Sequence, residues 1–331
     1  YEFWDDVNGG GQFRIGGGQQ AAVQSLPLTA AELAGVQYVG GANAGTEQVW
    51  VRANDGLEWG AWKNWLMATE GGMMRGGAGP DTLNGDAETP ILESGGGNDT
   101  LAAGDVDSLL SGGTGEDALN AGEGNDLLAG GAGNDVIQTG GGDNVIAFNE
   151  GDGTDTISSG AGASNTLSLG GGIDYAGLSL SKSGNDLILN TGGDDNLVFK
   201  DWYDGHDDVV KLQMIIDATN QFDASSQDPL YNKRVQTFGF AGLVQQFDAA
   251  RAADPGLGSW ELTNALLANR LSGADDAALG GDLAYWYGRN SAFTGIGLGS
   301  ALGVLAGSGF GTDAQQLHSF SGLQEGLVKL G

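Results

Sequence analysis

The stretch from Gly76 to Ala147 reads GGAGPDTLN, GDAETPILE, SGGGNDTLA, AGDVDSLLS, GGTGEDALN, AGEGNDLLA, GGAGNDVIQ and TGGGDNVIA when it is divided every nine residues. The eighth position of these eight units is always aliphatic, and the sixth position is Asp in five of them. Each glycine-rich half predicts a tight turn, because glycine alone reaches positive φ without steric cost. Each second half predicts a very short strand whose central aliphatic side chain points inward. Two units close one coil, so the period predicts a stacked parallel β-roll.

Alternate units lie on the same edge of such a roll, and the two edges differ in composition. One edge, named here the aspartate edge, carries Asp in the sixth position and Gly in the fourth position of every turn: Asp81, Asp99, Asp117 and Asp135, with Gly79, Gly97, Gly115 and Gly133. The other, named the mixed edge, carries Pro90, Ser108, Asp126 and Asn144. Stacked carboxylates and bare carbonyls repel one another unless a cation lies between them, and Ca²⁺ accepts six to eight oxygens in irregular geometry. The sequence therefore predicts several calcium ions, with a full ladder on the aspartate edge and fewer ions on the mixed edge.

The expected metal ligands are turn residues from both edges. They are Gly76, Ala78, Gly79, Asp81, Gly95, Gly97, Asp99, Gly113, Gly115, Asp117, Gly122, Gly124, Asp126, Gly131, Gly133, Asp135, Asp143 and Asp155. Asp107 is a further candidate on the mixed edge. After Ala147 two extra residues intervene, and Glu150–Ser158 (EGDGTDTIS) then restores the pattern, so Asp155 is expected to extend the aspartate edge. The alternative is a flexible glycine- and aspartate-rich linker, but a linker gives no reason for an aliphatic residue in the eighth position of each unit.

These units resemble the RTX, or hemolysin-type, calcium-binding repeats of proteins exported by bacterial type I secretion. Five units match that pattern closely and three match it loosely. The resemblance implies a calcium-bound parallel β-roll, an export signal at the extreme C-terminus read by the type I secretion machinery, and a secreted location outside or on the surface of a Gram-negative bacterium. It implies no particular activity, because one fold serves many functions.

Composition narrows the classes of partner. The chain of 331 residues has 43 Asp and Glu against 13 Lys and Arg, a formal net charge of −30, so nucleic acid and anionic membrane surfaces are poor partners. Cysteine is absent, which excludes disulfides and thiol chemistry. No apolar run reaches the roughly 18 residues that a membrane-spanning helix needs. The chain begins YEFWDD without Met, and we expect it to be the C-terminal part of a longer protein.

Four parts are expected along the chain, giving a mainly β fold with an α-helical C-terminal domain. Residues 1–70 resemble the small β-sandwich modules that recur in large bacterial surface proteins, with VRANDGLEWGAWKNW at their end. Residues 71–158 are the roll, 159–207 its β cap, and 208–331 a helical domain with the export signal. Helical spacing predicts helices at Phe240–Ala253 and Trp260–Leu271, and either a helix or a strand followed by a helix at Val209–Phe222.

No motif for catalysis is present: the sequence has neither HExxH nor GxSxG, and no cysteine nucleophile. We therefore expect no enzyme activity and no catalytic or cofactor-binding residues beyond the calcium ligands. The favoured hypothesis is a calcium-dependent secreted structural or cell-surface protein, such as an adhesin, an S-layer component or a matrix filament, that assembles with other copies of itself or with the cell surface. One alternative is the export and folding tail of a larger secreted hydrolase or toxin. Another is a carbohydrate-binding module in residues 1–70, although a tryptophan cluster more often forms a core.

Overall fold

The computed structural model describes residues 1–5, 12–15, 18–19, 26–32, 36–39, 45–54, 56–69, 72–87, 89–160, 162–326 and 328–331. These residues form two compact units. The first comprises residues 1–73 with 326–328, and the second comprises residues 74–325 with 329–331.

The first unit contains short antiparallel strands, as expected where β-branched and aromatic residues alternate with polar ones. Its strands are β1 (Glu2–Asp5), β2 (Gln12–Ile15), β3 (Gly18–Gln19), β4 (Leu26–Pro27), β5 (Val36–Val39), β6 (Gly45–Arg52) and β7 (Lys63–Thr69). Four of them form a sheet in the order β4-β1-β6-β7, and three form a sheet in the order β3-β2-β5.

The repeat region forms a β-roll built from two long sheets. Its strands are β8 (Met73–Arg75), β9 (Thr82–Asn84), β10 (Ile91–Gly96), β11 (Thr100–Ala102), β12 (Leu109–Thr114), β13 (Ala118–Asn120), β14 (Leu127–Ala132), β15 (Val136–Gln138), β16 (Val145–Phe148), β17 (Thr154–Ser158) and β18 (Asn165–Leu169). Sheet A contains β8, β10, β12, β14, β16 and β18, and sheet B contains β9, β11, β13, β15 and β17. Neighbouring strands pair in parallel, with Leu92 opposite Leu110 and Leu110 opposite Leu128. The predicted parallel β-roll is confirmed.

The aliphatic row of the eighth position forms the interior of the roll. All of its members are buried and belong to one hydrophobic cluster: Leu83, Leu92, Leu101, Leu110, Leu119, Leu128, Ile137 and Ile146. A fully buried aliphatic side chain contributes about 1.5–3 kcal/mol through its removal from water. Because each coil supplies only two such side chains, the row alone gives the roll a thin core.

Both long sheets continue beyond the repeats, and antiparallel strands close their far ends. Sheet B continues through β21 (Asp195–Phe199), β20 (Asp186–Gly192), β19 (Ser179–Ser183) and β24 (Trp260–Glu261). Sheet A continues through β22 (Val209–Ile215), β23 (Val235–Gly239) and β25 (Arg270–Ala274). The strand β22 pairs in parallel with β18, whereas β23 and β25 are antiparallel. The change of direction covers the backbone edge that the last coil would otherwise expose.

Helices occur in the C-terminal part of the described chain, so the predicted mainly β fold with helices in that region is confirmed. They are α1 (Phe240–Ala253), α2 (Thr263–Leu266), α3 (Gly281–Asn290), α4 (Leu298–Leu305) and α5 (Phe320–Leu323). The remaining strands are β26 (Ala277–Ala278) and β27 (Gln315–Gln316). None of the helices in the described residues is long and apolar enough to cross a membrane. Residues 208–325 lie in the same compact unit as the roll, while the four-part functional division stays a prediction.

One predicted helix matches its observed bounds and another does not. The helix at Phe240–Ala253 is α1, and its buried face includes Leu243 and Phe247. The helix expected over Trp260–Leu271 is wrong as a continuous element. Trp260 pairs with Leu180 in sheet B, and Arg270 pairs with Phe238 in sheet A. Pairing with distant strands therefore outweighs the helical spacing of this segment.

The outer face of sheet A is apolar and covered, which the sequence interpretation missed. In the units of sheet A, the seventh position holds four aliphatic residues with no exposed surface: Ile91, Leu109, Leu127 and Val145. A Cβ built on Gly280, just before α3, would lie 3.3 Å from side-chain atoms of both Leu127 and Val145. At the first coils, the N–H of Gly331 donates to the Glu93 carboxylate at 3.2 Å. The C-terminal segment therefore packs along the outside of the roll and gives the thin interior a second apolar layer.

Candidate metal centre

A ladder of hydrogen bonds links the aspartates of the aspartate edge. The N–H of Asp81 donates to Oδ1 of Asp99 at 2.7 Å, and the N–H of Asp99 donates to Oδ1 of Asp117 at 2.8 Å. The same contact joins Asp117 to Asp135 at 2.7 Å and Asp135 to Asp155 at 3.0 Å. The structure thus brings five predicted ligands into one line, and Asp155 extends the row despite the two inserted residues.

The second carboxylate oxygen of three aspartates in this row has no protein donor. Oδ2 of Asp99, Asp117, Asp135 and, on the mixed edge, Asp126 is buried without a hydrogen-bond partner. A buried carboxylate oxygen left unpaired is strongly unfavourable, and proteins normally provide a donor or a metal ion. These orphaned oxygens fit a cation, and calcium prefers such all-oxygen surroundings. The residues present therefore fit the metal that the turn pattern predicts.

Backbone carbonyls must supply the rest of any calcium coordination. Across the described parts of the chain, no group of three or more Asp, Glu or His side chains is arranged to hold a metal ion by itself. A Cβ built on Gly112 or Gly130 would collide with Oδ2 of Asp117 or Asp135, respectively, so each free oxygen faces the start of its own turn. We therefore expect the carbonyl oxygens of adjacent turns to complete any calcium coordination that begins at these carboxylates.

The predicted turn glycines allow the coils to stack closely. Gly113 and Gly115 have φ values of +100° and +124°, and a Cβ on either would overlap the backbone of the preceding coil at Gly95 or Gly97. The φ angle is also positive at the other predicted turn glycines after the first turn: Gly95, Gly97, Gly122, Gly124, Gly131 and Gly133. The first turn differs, since nothing lies within 4 Å of a Cβ on Gly79. Gly76, Ala78 and Gly79 form that turn, and the N–H of Gly77 in it donates to Oδ2 of Asp81 at 2.6 Å.

The electrostatics of both edges show how poorly the carboxylates are compensated without a cation. Burial raises the pKa of Asp135 to about 7 and that of Asp155 to about 9, and repulsion between neighbouring carboxylates adds to both shifts. Burial likewise raises the pKa of Asp126 to about 8. Protonation is thus the alternative to metal binding for these groups.

The calcium-free roll should be more stable at pH 5 than at pH 8. Asp126, Asp135 and Asp155 have pKa values of about 8, 7 and 9 in the folded chain, against an ordinary aspartate pKa of 3.8. The folded state binds more protons than the unfolded state between about pH 4 and 9, so its stability falls as pH rises through that window. Circular dichroism in chelator measures the effect, and Asp155→Asn should reduce the difference. A calcium-free stability that rises with pH would contradict this prediction.

Two further acidic residues lie at the end of the aspartate edge, and the sequence interpretation did not select them. Asp152 is buried, its Oδ2 accepts from the N–H of Asn149 at 2.8 Å and from the hydroxyl of Tyr287 at 3.1 Å, and burial raises its pKa to about 7. The Asp195 carboxylate accepts from the N–H groups of Gly151 and Gly153 at 2.7 and 3.1 Å. Asp152 was visible as the third residue of EGDGTDTIS, but Asp195 comes from a remote strand.

The mixed edge has a ladder of different composition. The N–H of Ser108 donates to Oδ1 of Asp126, and the N–H of Asp126 donates to Oδ1 of Asn144, both at 2.8 Å. The N–H of Asn144 then donates to Oδ1 of Asn165 at 3.1 Å. Asp126 is the acidic member of this described row.

The expected ligands Asp107 and Asp143 lie one position earlier in the turn than Asp126. Oδ1 of Asp107 accepts from the N–H of Asn125 at 2.8 Å, and the N–H of Asp143 donates to Oδ1 of Asn125 at 2.7 Å. They therefore belong to a separate column of hydrogen bonds beside the row of Asp126. Their role as improvised ligands stays a prediction.

Two tryptophans of the first unit lie against an arginine. The guanidinium of Arg52 lies 4.6 Å from the ring centroid of Trp59 and 4.5 Å from that of Trp62. Arg52 also forms an ion pair with Glu2. The guanidinium thus lies over one face of each ring, as in a cation–π contact. A carbohydrate-binding role for residues 1–70 stays a prediction.

A histidine and an aspartate form a second polar contact outside the roll. Oδ1 of buried Asp282, in α3, accepts from the N–H of His318 at 2.7 Å, and its Oδ2 lies 2.7 Å from Nδ1 of the same residue. Both residues line a cavity of about 440 Å³ together with Ser300 and Gln315. The pair fastens the segment before α5 to α3.

Comparisons with known proteins bear on the repeats. A family model for the RTX calcium-binding nonapeptide repeat matches four times, over residues 73–101, 93–128, 111–146 and 120–154. A search of curated proteins gives no match. Among solved structures, this chain is similar to the extracellular lipase LipA from Serratia marcescens. The matched region covers 48% of this chain, with a sequence identity of 16% and a TM-score of 0.26. The matched part spans 27% of that lipase chain.

The family match and the architecture agree on the same residues. Strands of the two parallel sheets alternate through the matched range, and the matched turns carry the row of stacked aspartates. Residues 73–154 are therefore RTX calcium-binding nonapeptide repeats, and together with the parallel β-roll they fit an RTX protein.

Proposed function

We propose that the roll binds a row of calcium ions along the aspartate edge and folds when it does so. The observation that carries this proposal is the line of buried Oδ2 atoms of Asp99, Asp117 and Asp135, none of which has a protein donor. Each of these three aspartates uses Oδ1 to hold the preceding coil in register and leaves Oδ2 for the ion. The turn glycines expose carbonyls that complete the coordination. Calcium, when bound, supplies the positive charge that the stacked carboxylates lack.

The expected binding energy is comparable to the stability of a domain. Extracellular calcium modules bind with dissociation constants of about 10⁻⁴–10⁻³ M. At about ten times the dissociation constant, each site adds roughly 1.4 kcal/mol to the free energy of unfolding. Four such sites would add about 6 kcal/mol, against about 5–15 kcal/mol for a typical domain. A thin-cored roll should therefore depend on calcium for its stability.

The proposed setting is outside a Gram-negative cell, in a structural or cell-surface protein such as an adhesin, an S-layer component or a matrix filament. A chain with a net charge of −30 repels itself and stays unfolded where calcium is scarce, which suits export through type I secretion machinery. Calcium outside the cell then folds the roll. The absence of cysteine supports metal binding, in place of disulfides, as the stabilising device of an exported chain.

Replacing one aspartate in the middle of the row tests calcium binding. Equilibrium dialysis should find several calcium ions bound to the protein and at least one fewer bound to Asp117→Asn, because the neutral side chain loses the free anionic oxygen. The variant should also need more calcium to reach half-maximal folding. Asp194→Asn, at an exposed turn residue, makes the same chemical change and should leave both values as they are. Equal calcium counts in the protein and in Asp117→Asn would oppose the proposal.

Light scattering during calcium addition tests assembly separately. In a calcium-triggered surface protein, the scattered intensity should rise as β-structure forms. If the protein folds on calcium but stays monomeric, the self-assembly part of the proposal falls, and the roll serves export and folding alone.

A further inference from the structure

Asn144 lies in the sixth position of its turn on the mixed edge, where Asp117 lies on the aspartate edge. Its Oδ1 accepts from the N–H of Asp126 at 2.8 Å, as the ladder aspartates do for their neighbours. Its Nδ2 donates to the carbonyl oxygens of Thr139 at 3.1 Å and Gly141 at 2.9 Å. These two carbonyls come from the first and third positions of the same turn. In this turn, Nδ2 of Asn144 thus occupies the position that the unpaired Oδ2 occupies in the turns of the aspartate edge.

The orientation of this amide follows from its neighbours. The Nδ2 atom also lies 3.0 Å from Oδ1 of Asn165, so the close partners around it are all oxygen acceptors. The partner of Oδ1 is an N–H donor. Exchanging the two atoms would place an oxygen against three oxygens, which has no favourable hydrogen bond. The network therefore places the donor towards the centre of the turn.

We propose that the Asn144 amide replaces the calcium ion in its turn and thereby ends the calcium row of the mixed edge at Asp126. This inference rests on the proposed function, in which the equivalent carboxylates hold calcium. Where an aspartate turn gathers oxygens that only a cation satisfies, the Asn144 turn gathers the same kind of oxygens around an N–H₂ group. The turn is complete without metal.

The next rung of the mixed edge continues this arrangement. The N–H of Asn144 donates to Oδ1 of Asn165 at 3.1 Å, and Nδ2 of Asn165 donates to Oγ1 of Thr139 at 3.2 Å. Both asparagines are fully buried, so these contacts are shielded from water. Towards the start of the edge, the hydroxyl of Ser108 donates to the carbonyl oxygen of Val106 at 2.7 Å. In the described row of the mixed edge, Asp126 therefore has neutral residues in the positions before and after it. Its unpaired Oδ2 is the carboxylate oxygen of that row that can bind calcium.

Calcium counting in Asn144→Asp tests the inference. The substitution exchanges the amide donor for an anionic oxygen, so equilibrium dialysis at saturating calcium should find one more bound ion than in the unchanged protein. Its calcium-free form should also be less stable, since the donor to Thr139 and Gly141 is lost. Asn84→Asp, at an exposed strand position, adds the same charge and should leave the count unchanged. An unchanged count in folded Asn144→Asp would overturn the inference.

The reverse variant covers the case in which Asn144→Asp fails to fold. Asp126→Asn replaces the acidic side chain of this row with an amide. The variant should fold and should bind one calcium ion fewer than the unchanged protein. An unchanged count in Asp126→Asn would overturn the inference. If the unchanged protein binds no calcium at all, both the proposed function and this inference are wrong. A calcium-binding protein whose count changes in neither variant overturns the inference alone.

Discussion

Gly115→Ala is expected to reduce the free energy of unfolding by about 3 kcal/mol or more, whereas Gly79→Ala should change it by less than about 1 kcal/mol. Both glycines hold the fourth position of a turn on the aspartate edge. Gly115 has a φ of +124°, and a Cβ there would overlap the carbonyl group of Gly97 in the coil below. Gly79 lies in the first turn, and nothing lies within 4 Å of its Cβ position.

Urea unfolding in saturating calcium measures this difference. The pair is well matched, because the chemical change, the position in the repeat and the edge are the same. What differs is the coil below and the positive φ of Gly115 that accompanies the stacking. If the two variants have the same stability, the close stacking of turns is not what requires glycine in this position.

Leu127→Asp is expected to cost several kcal/mol and to release the C-terminal segment, whereas Val136→Asp should have a small effect. Leu127 and Val136 both hold the seventh position of a repeat unit. Leu127 has no exposed surface because the segment around Gly280 covers it, while Val136 on the opposite sheet is 44% exposed. A buried, unpaired charge is among the few changes that cost more than about 3 kcal/mol.

Thermal unfolding and limited proteolysis together test this second expectation. In calcium, Leu127→Asp should lower the melting temperature and make residues after Gly280 sensitive to protease. Val136→Asp should show neither change. Protease resistance in Leu127→Asp equal to that of Val136→Asp would mean that the apolar outer face of sheet A does not hold the C-terminal segment.

The repeat register made most of the roll predictable. The eighth-position row from Leu83 to Ile146 follows from strand alternation, and the sixth-position aspartates follow from the stacking of equivalent turns. The covered outer face could also have been anticipated: the seventh position is Ile91, Leu109, Leu127 and Val145 in one sheet, but Thr82, Thr100, Ala118 and Val136 in the other. This difference between the two sheets in the seventh position indicates a covered outer face on sheet A.

Other features depend on contacts that sequence spacing does not encode. The segment around Trp260 has helical spacing, but its pairing with Leu180 comes from a strand about eighty residues away. Asp195 reaches the end of the aspartate edge through β21, far from the repeats. The role of Asn144 depends on which atoms surround its amide. Such features need the three-dimensional arrangement, because side-chain partners decide them.

A calcium titration followed by far-ultraviolet circular dichroism tests the central claim most directly. At pH 8 in chelator, we expect the roll to be largely unfolded, because the folded chain must then either bury uncompensated carboxylates or take up protons that the unfolded chain does not bind. β-Structure should appear as calcium reaches about the millimolar range typical of extracellular calcium modules. Magnesium at the same concentration should not replace calcium, because it demands near-ideal octahedral geometry. A full β spectrum in chelator at pH 8, unchanged by calcium, would contradict the account of the aspartate row.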